Sequence, residues 1–447
     1  MTRSPTGTAR VRLAMAAVWA AMAVFCPLGA GAALAFDRPG GAPARWVRVE
    51  VASAGELAAA VGSLSRGLPD GAAGVEIALA PGDYHLSPQN AVDSTCGNCE
   101  DPARPVPVTA GLRVSGTGIY LVGDGRGEAV IHTHAGYGIW FDGCRDCGLS
   151  GLTVTGGERD TAQAATDAAI VVQRSSVVIA DCVIRDNIGD AETIARVVVG
   201  IMGVCGREES FTYLRNCEIL RNSWDGVALY RDAEAVIERN VIDGIDGAGR
   251  AAGGGRGVGI GVTWNARAVI EKNLVRRYWK GVGIFVDADV EMRVNFIERM
   301  RAWGIAYWDA GRGSPRAVID ENVVYDCGAC GISVTRAKPF AADETPGRLT
   351  RNIVVHTAQN PDYDDPEAYC HQCALALHAV PEGFYIAHNL YYDNRRANED
   401  LFQGDTAREM FWRKRRAFVR KYRNTPIGVG GRLNFHDSFF LQRYTRR

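Results

Sequence analysis

Aromatic, acidic and basic side chains recur at one position of a repeated pattern, the fourth residue after a glycine or alanine. In chain order that position holds Asp142, Gln173, Val204, Tyr230, Thr263, Phe285, Trp308, Thr335 and His378. The turns that follow add Arg231, Asp232, Trp264, Asn265, Asp287, Asp309 and Arg336. Flat aromatic rings can stack on sugar rings, and carboxylates and arginines can hold hydroxyls or uronic acid groups. Stacked over one another, these residues would form a glycan-binding stripe.

Two kinds of chemistry are open to such a stripe. Glycoside hydrolysis needs two carboxylates about 5–9.5 Å apart, which Asp287 and Asp309 on successive repeats can supply. Proton removal beside a uronate carboxylate needs a base and a cation, for which Tyr230, Arg231 and Lys280 are suitable types. These five are the candidate catalytic residues. The candidate substrate-binding residues are Trp224, Trp264, Trp308, Arg336 and His378, and Trp224, Trp279, Trp303, Asp225 and Lys280 would flank the stripe.

A second interpretation of the same residues stays open. The turn acids can form a stacked ladder, and the aromatic rings can pack under loops instead of binding sugar. The protein would then be a non-catalytic structural or surface-interaction solenoid.

The repeat itself predicts the architecture. Segments 224–242 and 257–275 align 33 residues apart, sharing the sequence Ala-Val-Ile-Glu, and further copies cover 279–297 and 303–324. Each copy has three short β-branched stretches bounded by Gly, Asp or Asn, which favours strands over helices. A unit of about 22 residues cannot bury a face alone but can when stacked on its neighbours. The pattern predicts a coil of three strands per turn with parallel sheets.

An asparagine recurs where the second stretch of each copy ends. The row comprises Asn216, Asn240, Asn273, Asn295, Asn322, Asn352 and Asn389. Asparagine can satisfy buried backbone groups at a corner and tolerates left-handed backbone. We expect these side chains to stack.

Over residues 46–395 the pattern resembles the right-handed parallel β-helix proteins of the pectate-lyase-like superfamily. The resemblance implies an all-β fold, one right-handed parallel β-helix of about nine to eleven coils with helical caps. It also implies that polysaccharide-binding chemistry would lie on the outer face formed by the first strand of each copy, called the strand-one face here. The lyases, hydrolases and epimerases of the superfamily bind their polysaccharides on that face. The Gly-His-Gly and Arg-Ile-Lys motifs of polygalacturonase-like hydrolases and the Asp-Pro-His-Asp motif of alginate epimerases are absent from the sequence. No activity is therefore carried over residue by residue.

Three regions are expected along the chain. Residues 1–35 have the basic start, apolar run and small-residue site of a cleaved signal peptide, so we expect a secreted or periplasmic protein. Residues 36–395 form the β-helix with an N-terminal capping helix near 53–64. Residues 396–447 form a basic C-terminal helix, opened by Thr406 and Glu409, and a capping tail. No later stretch has the roughly 20 apolar residues of a membrane span.

Charge bears on the partner. Without the three arginines of 1–35, 47 basic residues face 51 acidic ones, which gives no electrostatic case for nucleic acid. A polysaccharide or cell-surface glycan is the expected partner, and a monomer the expected state.

Eight of the cysteines fall in four Cys-x-x-Cys units. They are Cys96/Cys99, Cys144/Cys147, Cys327/Cys330 and Cys370/Cys373. The last two units should stack on neighbouring coils, and the first two should form a second cluster. Export favours disulfides, four converging thiolates can also hold structural zinc, and free thiols are the third possibility. Cys182 and Cys217 should stack inside the core.

Calcium is the other candidate ion. Alternating acids in 231–236 and 286–291 offer oxygen ligands of the kind calcium prefers. The alternative is that these acids are solvated turn residues, and no cofactor is firmly implied.

Overall fold

A computed structural model of the chain describes residues 45–162, 164–190, 199–245, 256–336, 347–361, 372–395 and Arg413. The predicted signal peptide at 1–35 lies outside these residues, as does the predicted C-terminal helix apart from Arg413. No helix of the described ranges is long and apolar enough to cross a membrane.

Three long sheets wind into a right-handed parallel β-helix, with strands numbered in chain order. Sheet 1 contains β4 (Gln89–Asp93), β5 (Val106–Thr117), β8 (Tyr137–Arg145), β11 (Ala168–Gln173), β14 (Met202–Arg207), β17 (Val227–Leu229), β20 (Val258–Val262), β23 (Lys280–Phe285), β26 (Trp303–Trp308), β29 (Cys330–Thr335) and β32 (Leu375–Ala379). Sheet 2 contains β1 (Arg45–Val51), β2 (Ala72–Leu79), β6 (Ile119–Gly123), β9 (Cys147–Ser150), β12 (Ser176–Ala180), β15 (Phe211–Arg215), β18 (Glu234–Glu238), β21 (Arg267–Glu271), β24 (Asp289–Arg293), β27 (Arg316–Asp320), β30 (Gly347–Thr350) and β33 (Tyr385–Ala387). Sheet 3 contains β3 (Gly82–His85), β7 (Ala129–His132), β10 (Thr153–Thr155), β13 (Val183–Arg185), β16 (Glu218–Leu220), β19 (Val241–Asp243), β22 (Leu274–Arg276), β25 (Phe296–Glu298), β28 (Val323–Tyr325), β31 (Ile353–Val355) and β34 (Leu390–Tyr392).

Equivalent residues of successive copies pair directly, as the repeat predicts. In sheet 1, Val227 pairs with Ile260, which pairs with Val282, then Ile305 and Ile332. All five are buried, because alternation sends every second strand residue into the core. A row in the sequence alignment is therefore a row in space, about 4.8 Å per coil.

One register was mispredicted. The expected stripe placed Val204 outward, counting from Gly200. Gly203 within β14 is instead the equivalent glycine, Val204 pairs with Val227 in the core, and Arg207 takes the outward position beside Gln173. A loop before β14 imitates the Gly-Ile signal three residues too early, and an odd shift exchanges the two faces.

The asparagine row is confirmed from Asn240 to Asn389. Each amide nitrogen donates to the amide oxygen of the next coil, at 3.0 Å from Asn240 to Asn273, 3.0 Å to Asn295 and 2.9 Å to Asn322. The row continues at 3.0 and 2.9 Å to Asn352 and Asn389.

Two details of this row differ from expectation. Asn216 lies outside it, because the backbone N–H of Cys217 donates to Asn240 and so marks Cys217 as the equivalent residue. The left-handed backbone belongs to the residue before each asparagine, for example Lys272 at φ 59° and Val294 at φ 57°. The corner needs the asparagine for its amide, not for its backbone freedom.

The predicted N-terminal cap is present as helix α1 (Ala54–Leu64). The Ser53 hydroxyl accepts from the Glu56 N–H at 3.2 Å, and the Glu56 carboxylate accepts from the Ala52 N–H at 2.7 Å. This capping box fixes the start of the helix. Leu57 and Val61 then cover the open end of the core.

Candidate functional site

The N-terminal half of the strand-one face is covered by the segment 93–105, called the roof here. The Arg207 side chain is fully buried beneath it and pairs with the carboxylates of Asp93 and, at 2.7 Å, Glu208. The Gln173 amide donates to Asp93 at 3.0 Å and to the Thr95 hydroxyl at 2.8 Å. Gln173 is thus a structural residue rather than part of an open binding stripe.

The roof holds Asp93 in its charged form. Burial by itself raises the pKa of this carboxyl, but the Arg207 guanidinium and hydrogen bonds from Gln173 and Thr95 outweigh burial and leave the pKa below its usual value. The charge is stable there only because these partners surround it.

Breaking this buried pair should loosen the roof. We expect Asp93→Asn to lower the free energy of unfolding by about 3–5 kcal/mol, because Arg207 is left buried without its counter-charge. Guanidinium unfolding measures the change. The control is Asp289→Asn, which removes a half-exposed pair with Arg316 at 3.4 Å and should lower stability by less than about 1 kcal/mol. Equal effects of the two variants would contradict the role assigned to Asp93.

The tip of the roof carries the disulfide Cys96–Cys99. Arg231 donates to the carbonyl oxygens of Gly97, at 3.2 Å, and Cys99. The Trp264 indole N–H donates to the Asn98 side chain at 2.8 Å, and Arg231 lies 4.2 Å from the Trp264 ring centre. Two predicted site residues, Arg231 and Trp264, therefore fasten the roof to the β-helix.

An aromatic cluster follows on the next coils. The Lys280 ammonium lies 3.5 Å from the ring centre of Trp279, 5.2 Å from Trp303 and 5.4 Å from Trp308. The Trp303 and Trp308 rings meet edge to face at 5.1 Å, and the Trp308 N–H donates to Ser333 at 3.0 Å. Trp279 is 44% exposed. The cluster thus offers one accessible ring beside a cation.

Asp225 and Lys280 occupy equivalent positions of coils that lie two apart, and Val258 occupies that position on the coil between them. Its Oδ1 accepts from the Val258 N–H at 2.6 Å. Burial raises the pKa of Asp225 to about 7, against the lowering effects of that N–H and of Lys280. Burial lowers the pKa of Lys280 to about 8, against the raising effect of Asp225. Both groups can therefore exchange a proton near neutral pH.

Small residues occupy one outward position of successive sheet 1 strands, and the surface they form is called the floor here. Ala228, Gly261, Gly283 and Ala306 occupy it on four successive strands. A methyl group added at Gly261 would meet Asp225 Oδ2 at 3.7 Å and the Val258 side chain at 3.8 Å, whereas one at Gly283 would strike the Phe285 ring. Space for a ligand atom therefore exists above Gly261, next to the free oxygen of the carboxylate.

The remaining candidates mostly shape a neighbouring insertion, residues 311–315. Asp287 accepts from the Ser314 N–H at 2.7 Å, and Asp309 accepts from the Gly311 N–H at 2.9 Å. Arg336 is buried and donates to the Pro315 carbonyl at 2.6 Å. The predicted hydrolase pair is thus engaged with backbone.

The remaining three candidates are Tyr230, Trp224 and His378. Burial raises the pKa of Tyr230 well above its usual value, so it stays a neutral phenol. Trp224 is half-buried with the Arg256 guanidinium 5.4 Å from its ring, and His378 is exposed on β32.

The first two Cys-x-x-Cys units divide differently from expectation. Cys96 and Cys99 pair with each other in the roof. Cys144 and Cys147 are buried thiols in mutual contact. The prediction that these two units form one cluster, and that Cys144 and Cys147 form disulfides, was therefore wrong.

The last two units contain one of the predicted disulfide cysteines and two free thiols. Cys330 is disulfide-bonded, and Cys370 lies outside the described residues. Cys327 and Cys373 are buried thiols, so the prediction of a disulfide at Cys373 and at Cys327 was wrong. The Cys373 thiol donates to the carbonyl oxygen of Leu375 at 3.3 Å.

The predicted core pair of cysteines is present, since Cys182 and Cys217 contact each other in the interior. Within the described ranges no group of three or more metal-binding side chains is arranged around an ion. The described acids of 231–236 and 286–291 therefore form no calcium site.

Comparison with known proteins identifies the family. A protein-family model described as the right handed beta helix region matches residues 111–258 and 203–354 of the sequence. Together these ranges are more than half of the chain. The chain belongs to the right-handed β-helix family. No curated protein matches this β-helix protein.

Solved structures of similar fold include three with named activities or hosts. A pectate lyase (pelN) from Paenibacillus sp. 0602 has 11% identity and a TM-score of 0.38, covering 63% of this chain and 78% of that one. An exopolygalacturonase from Thermotoga maritima has 12% identity and a TM-score of 0.40, covering 71% and 88%. A tailspike protein of E. coli bacteriophage HK620 has 10% identity and a TM-score of 0.47, covering 78% and 59%. At such identities the likeness says nothing of activity.

Proposed function

We propose that this β-helix protein binds an acidic polysaccharide on the C-terminal half of its strand-one face and removes a proton from a uronate unit. The observation that carries the proposal is the pair formed by Asp225 and Lys280. Both are buried at the edge of the same small-residue floor, and their pKa values are about 7 and about 8. Perturbed acid–base groups that share one face of a protein are typical of functional sites.

The roles of the two groups follow from their charges. Above pH 7 the Asp225 carboxylate is a base, with its free Oδ2 facing the space above Gly261. It takes the proton on the sugar carbon next to the uronate carboxylate. The Lys280 ammonium stabilises the negative charge that develops on that carboxylate.

The electron pair left on that carbon has two outcomes. It can expel the neighbouring glycosidic oxygen, which takes up a proton and leaves an unsaturated sugar. It can also take up a proton on the opposite face, which inverts the carbon. Both reactions begin with the same proton transfer, and neither requires the engaged carboxylates of Asp287 and Asp309.

Sugar binding is assigned to the aromatic cluster. Trp279 presents the exposed ring, and the Phe285 and Trp308 rings, with centres 5.7 Å apart, line the far side of the floor. Aromatic faces offer flat apolar contact with modest loss of side-chain entropy. Lys280 beside them favours chains that carry carboxylates.

The proposal is tested with a panel of polyuronates and neutral glycans, followed by absorbance of unsaturated products, by sugar analysis for inverted units and by calorimetry. Asp225→Asn should lose about 10²–10⁴-fold of the rate, and Lys280→Met about 10²–10³-fold. Asp289→Asn and Lys272→Met, on other faces of the β-helix, should match wild type within about twofold.

Three outcomes decide between the interpretations. Loss of turnover confined to the Asp225 and Lys280 variants supports the proposal. Binding of a polyuronate without any turnover would favour the non-catalytic surface-interaction protein. Neither binding nor turnover across the panel would end both glycan interpretations.

A further inference from the structure

Three of the eight histidines of the chain meet on the sheet 3 side, away from the strand-one face. His85 ends β3 and pairs in register with His132, which ends β7. His134 follows two residues later with a left-handed backbone, φ 51°. The imidazole planes are nearly parallel, with ring centres 4.2 Å apart for His85 and His132 and 5.5 Å apart for His85 and His134.

Two ring nitrogens of this cluster share a hydrogen bond, whose proton a bound metal ion would displace. His85 Nδ1 and His134 Nε2 are 3.1 Å apart. With metal–nitrogen bonds of about 2.0–2.1 Å, that separation corresponds to an angle of about 100° at a bridging ion. This angle suits tetrahedral and octahedral coordination alike.

Carboxylate oxygens lie next to a ring nitrogen of two of these histidines. Glu158 lies 3.4 Å from His134 Nδ1, and Asp83 lies 2.8 Å from His132 Nε2. A carboxylate on the far nitrogen fixes the tautomer of a metal-binding imidazole and makes it a better ligand. Glu158 is placed to do this for His134. The Nε2 of His132 is engaged by Asp83, and its Nδ1 would lie 3.8 Å from a methyl group added at Gly156.

We propose that His85 Nδ1 and His134 Nε2 form a two-histidine site for a divalent transition-metal ion of the zinc or nickel class. Water or an external ligand fills the remaining positions, because the described residues offer no third ligand there. His132 stacks on His85 and is not a ligand. Asp83, His85 and Glu158 are exposed, so an ion can reach the site from solvent. The proposal does not rest on the glycan function.

The test is calorimetric titration of the full chain with NiCl₂ and, separately, ZnCl₂ in a non-chelating buffer near neutral pH. Wild type is expected to bind one equivalent that His85→Ala and His134→Ala each weaken at least about 30-fold. His132→Ala and His388→Ala, the latter an exposed histidine elsewhere, should retain it within about threefold. Glu158→Gln should weaken it about tenfold, which is the low end for loss of a supporting carboxylate.

Circular dichroism of each variant shows whether it is folded. Because the replaced side chains lie at the surface, we expect every variant to fold. Titrations of the His85 and His134 variants that match wild type would overturn the proposal, as would absence of binding to wild type. A loss in His132→Ala as large as in His85→Ala would contradict the assigned ligand pair.

Discussion

Replacing Asn295 by alanine should lower the free energy of unfolding by about 3–6 kcal/mol. The Asn295 oxygen accepts from the Asn273 N–H at 3.0 Å and from its side-chain amide at 3.0 Å. Its own amide donates to the Ile270 carbonyl at 2.9 Å and to Asn322. The Asn273 amide still donates to the Ile237 carbonyl, and the Asn322 oxygen still accepts from the backbone N–H of residue 295. Alanine leaves the Asn273 N–H and the Ile270 carbonyl without these partners in the core, at about 1–3 kcal/mol for each one that stays unsatisfied.

The neighbouring residue provides the control. Val294 is 39% exposed and has left-handed backbone at φ 57°, which is unfavourable for a β-branched side chain. Val294→Asn should therefore leave stability unchanged or raise it by about 1 kcal/mol. Guanidinium unfolding of both variants measures the contrast. A small effect of Asn295→Ala would show that the row is not what satisfies the corners.

Asp225→Asn should stabilise the fold at neutral and alkaline pH by up to about 4 kcal/mol. The folded state holds the pKa of this carboxyl near 7 through burial, while the unfolded chain has a pKa of about 3.9. Between these values the unfolded state releases a proton that the folded state keeps. Wild-type stability therefore falls as pH rises, by about 1.4 kcal/mol per pH unit, and levels off above 7.

Asparagine removes this pH dependence and can still accept from the Val258 N–H. The gain over wild type should be below about 2 kcal/mol at pH 5 and near its maximum at pH 8. Unfolding at the two pH values measures it, with Asp289→Asn as the control that shows no such difference. A gain independent of pH, or a loss at pH 8, would contradict the burial of an ionisable Asp225. A residue whose removal stabilises the fold is typical of an active site.

The solenoid was predictable from the sequence because one three-strand pattern repeats many times along the chain. Stretches such as Ala-Val-Ile-Glu at 235–238 and 268–271 pair residue for residue in sheet 2. Errors arose where an insertion interrupts the count. Gly200 imitates the glycine at Gly203, and Asn216 stands one residue before the position that the row uses.

The roof could not be predicted, since a loop that docks several coils away has no periodic signal. It changes the roles of the residues it reaches. The sequence suggests a catalytic role for Arg231 and a substrate-binding role for Trp264, but in the structure they hold Asn98 and its neighbours.

The cysteine pairing was also beyond the sequence. Register places Cys330 and Cys373 on neighbouring coils, because Ile332 pairs with Leu375. Neighbouring backbones do not fix where each sulfur points, and the Cys373 thiol turns to the Leu375 carbonyl.

The acid–base pair was only half predicted. Lys280 was a candidate from its type and place, while Asp225 was expected merely to flank the stripe. Its pKa depends on burial that no pattern reveals. A usable signal was present in Gly261 and Gly283. A glycine at an outward strand position has no side chain and can leave space on that face.

The central claim is that Asp225 removes the proton next to a uronate carboxylate, and ¹H NMR of a polyuronate in D₂O tests it most directly. Both elimination and inversion remove that proton from its carbon. Wild type should erase its signal over time, and Asp225→Asn should leave it intact over the same period. Full signal intensity with wild type, or equal loss with the variant, would contradict the claim.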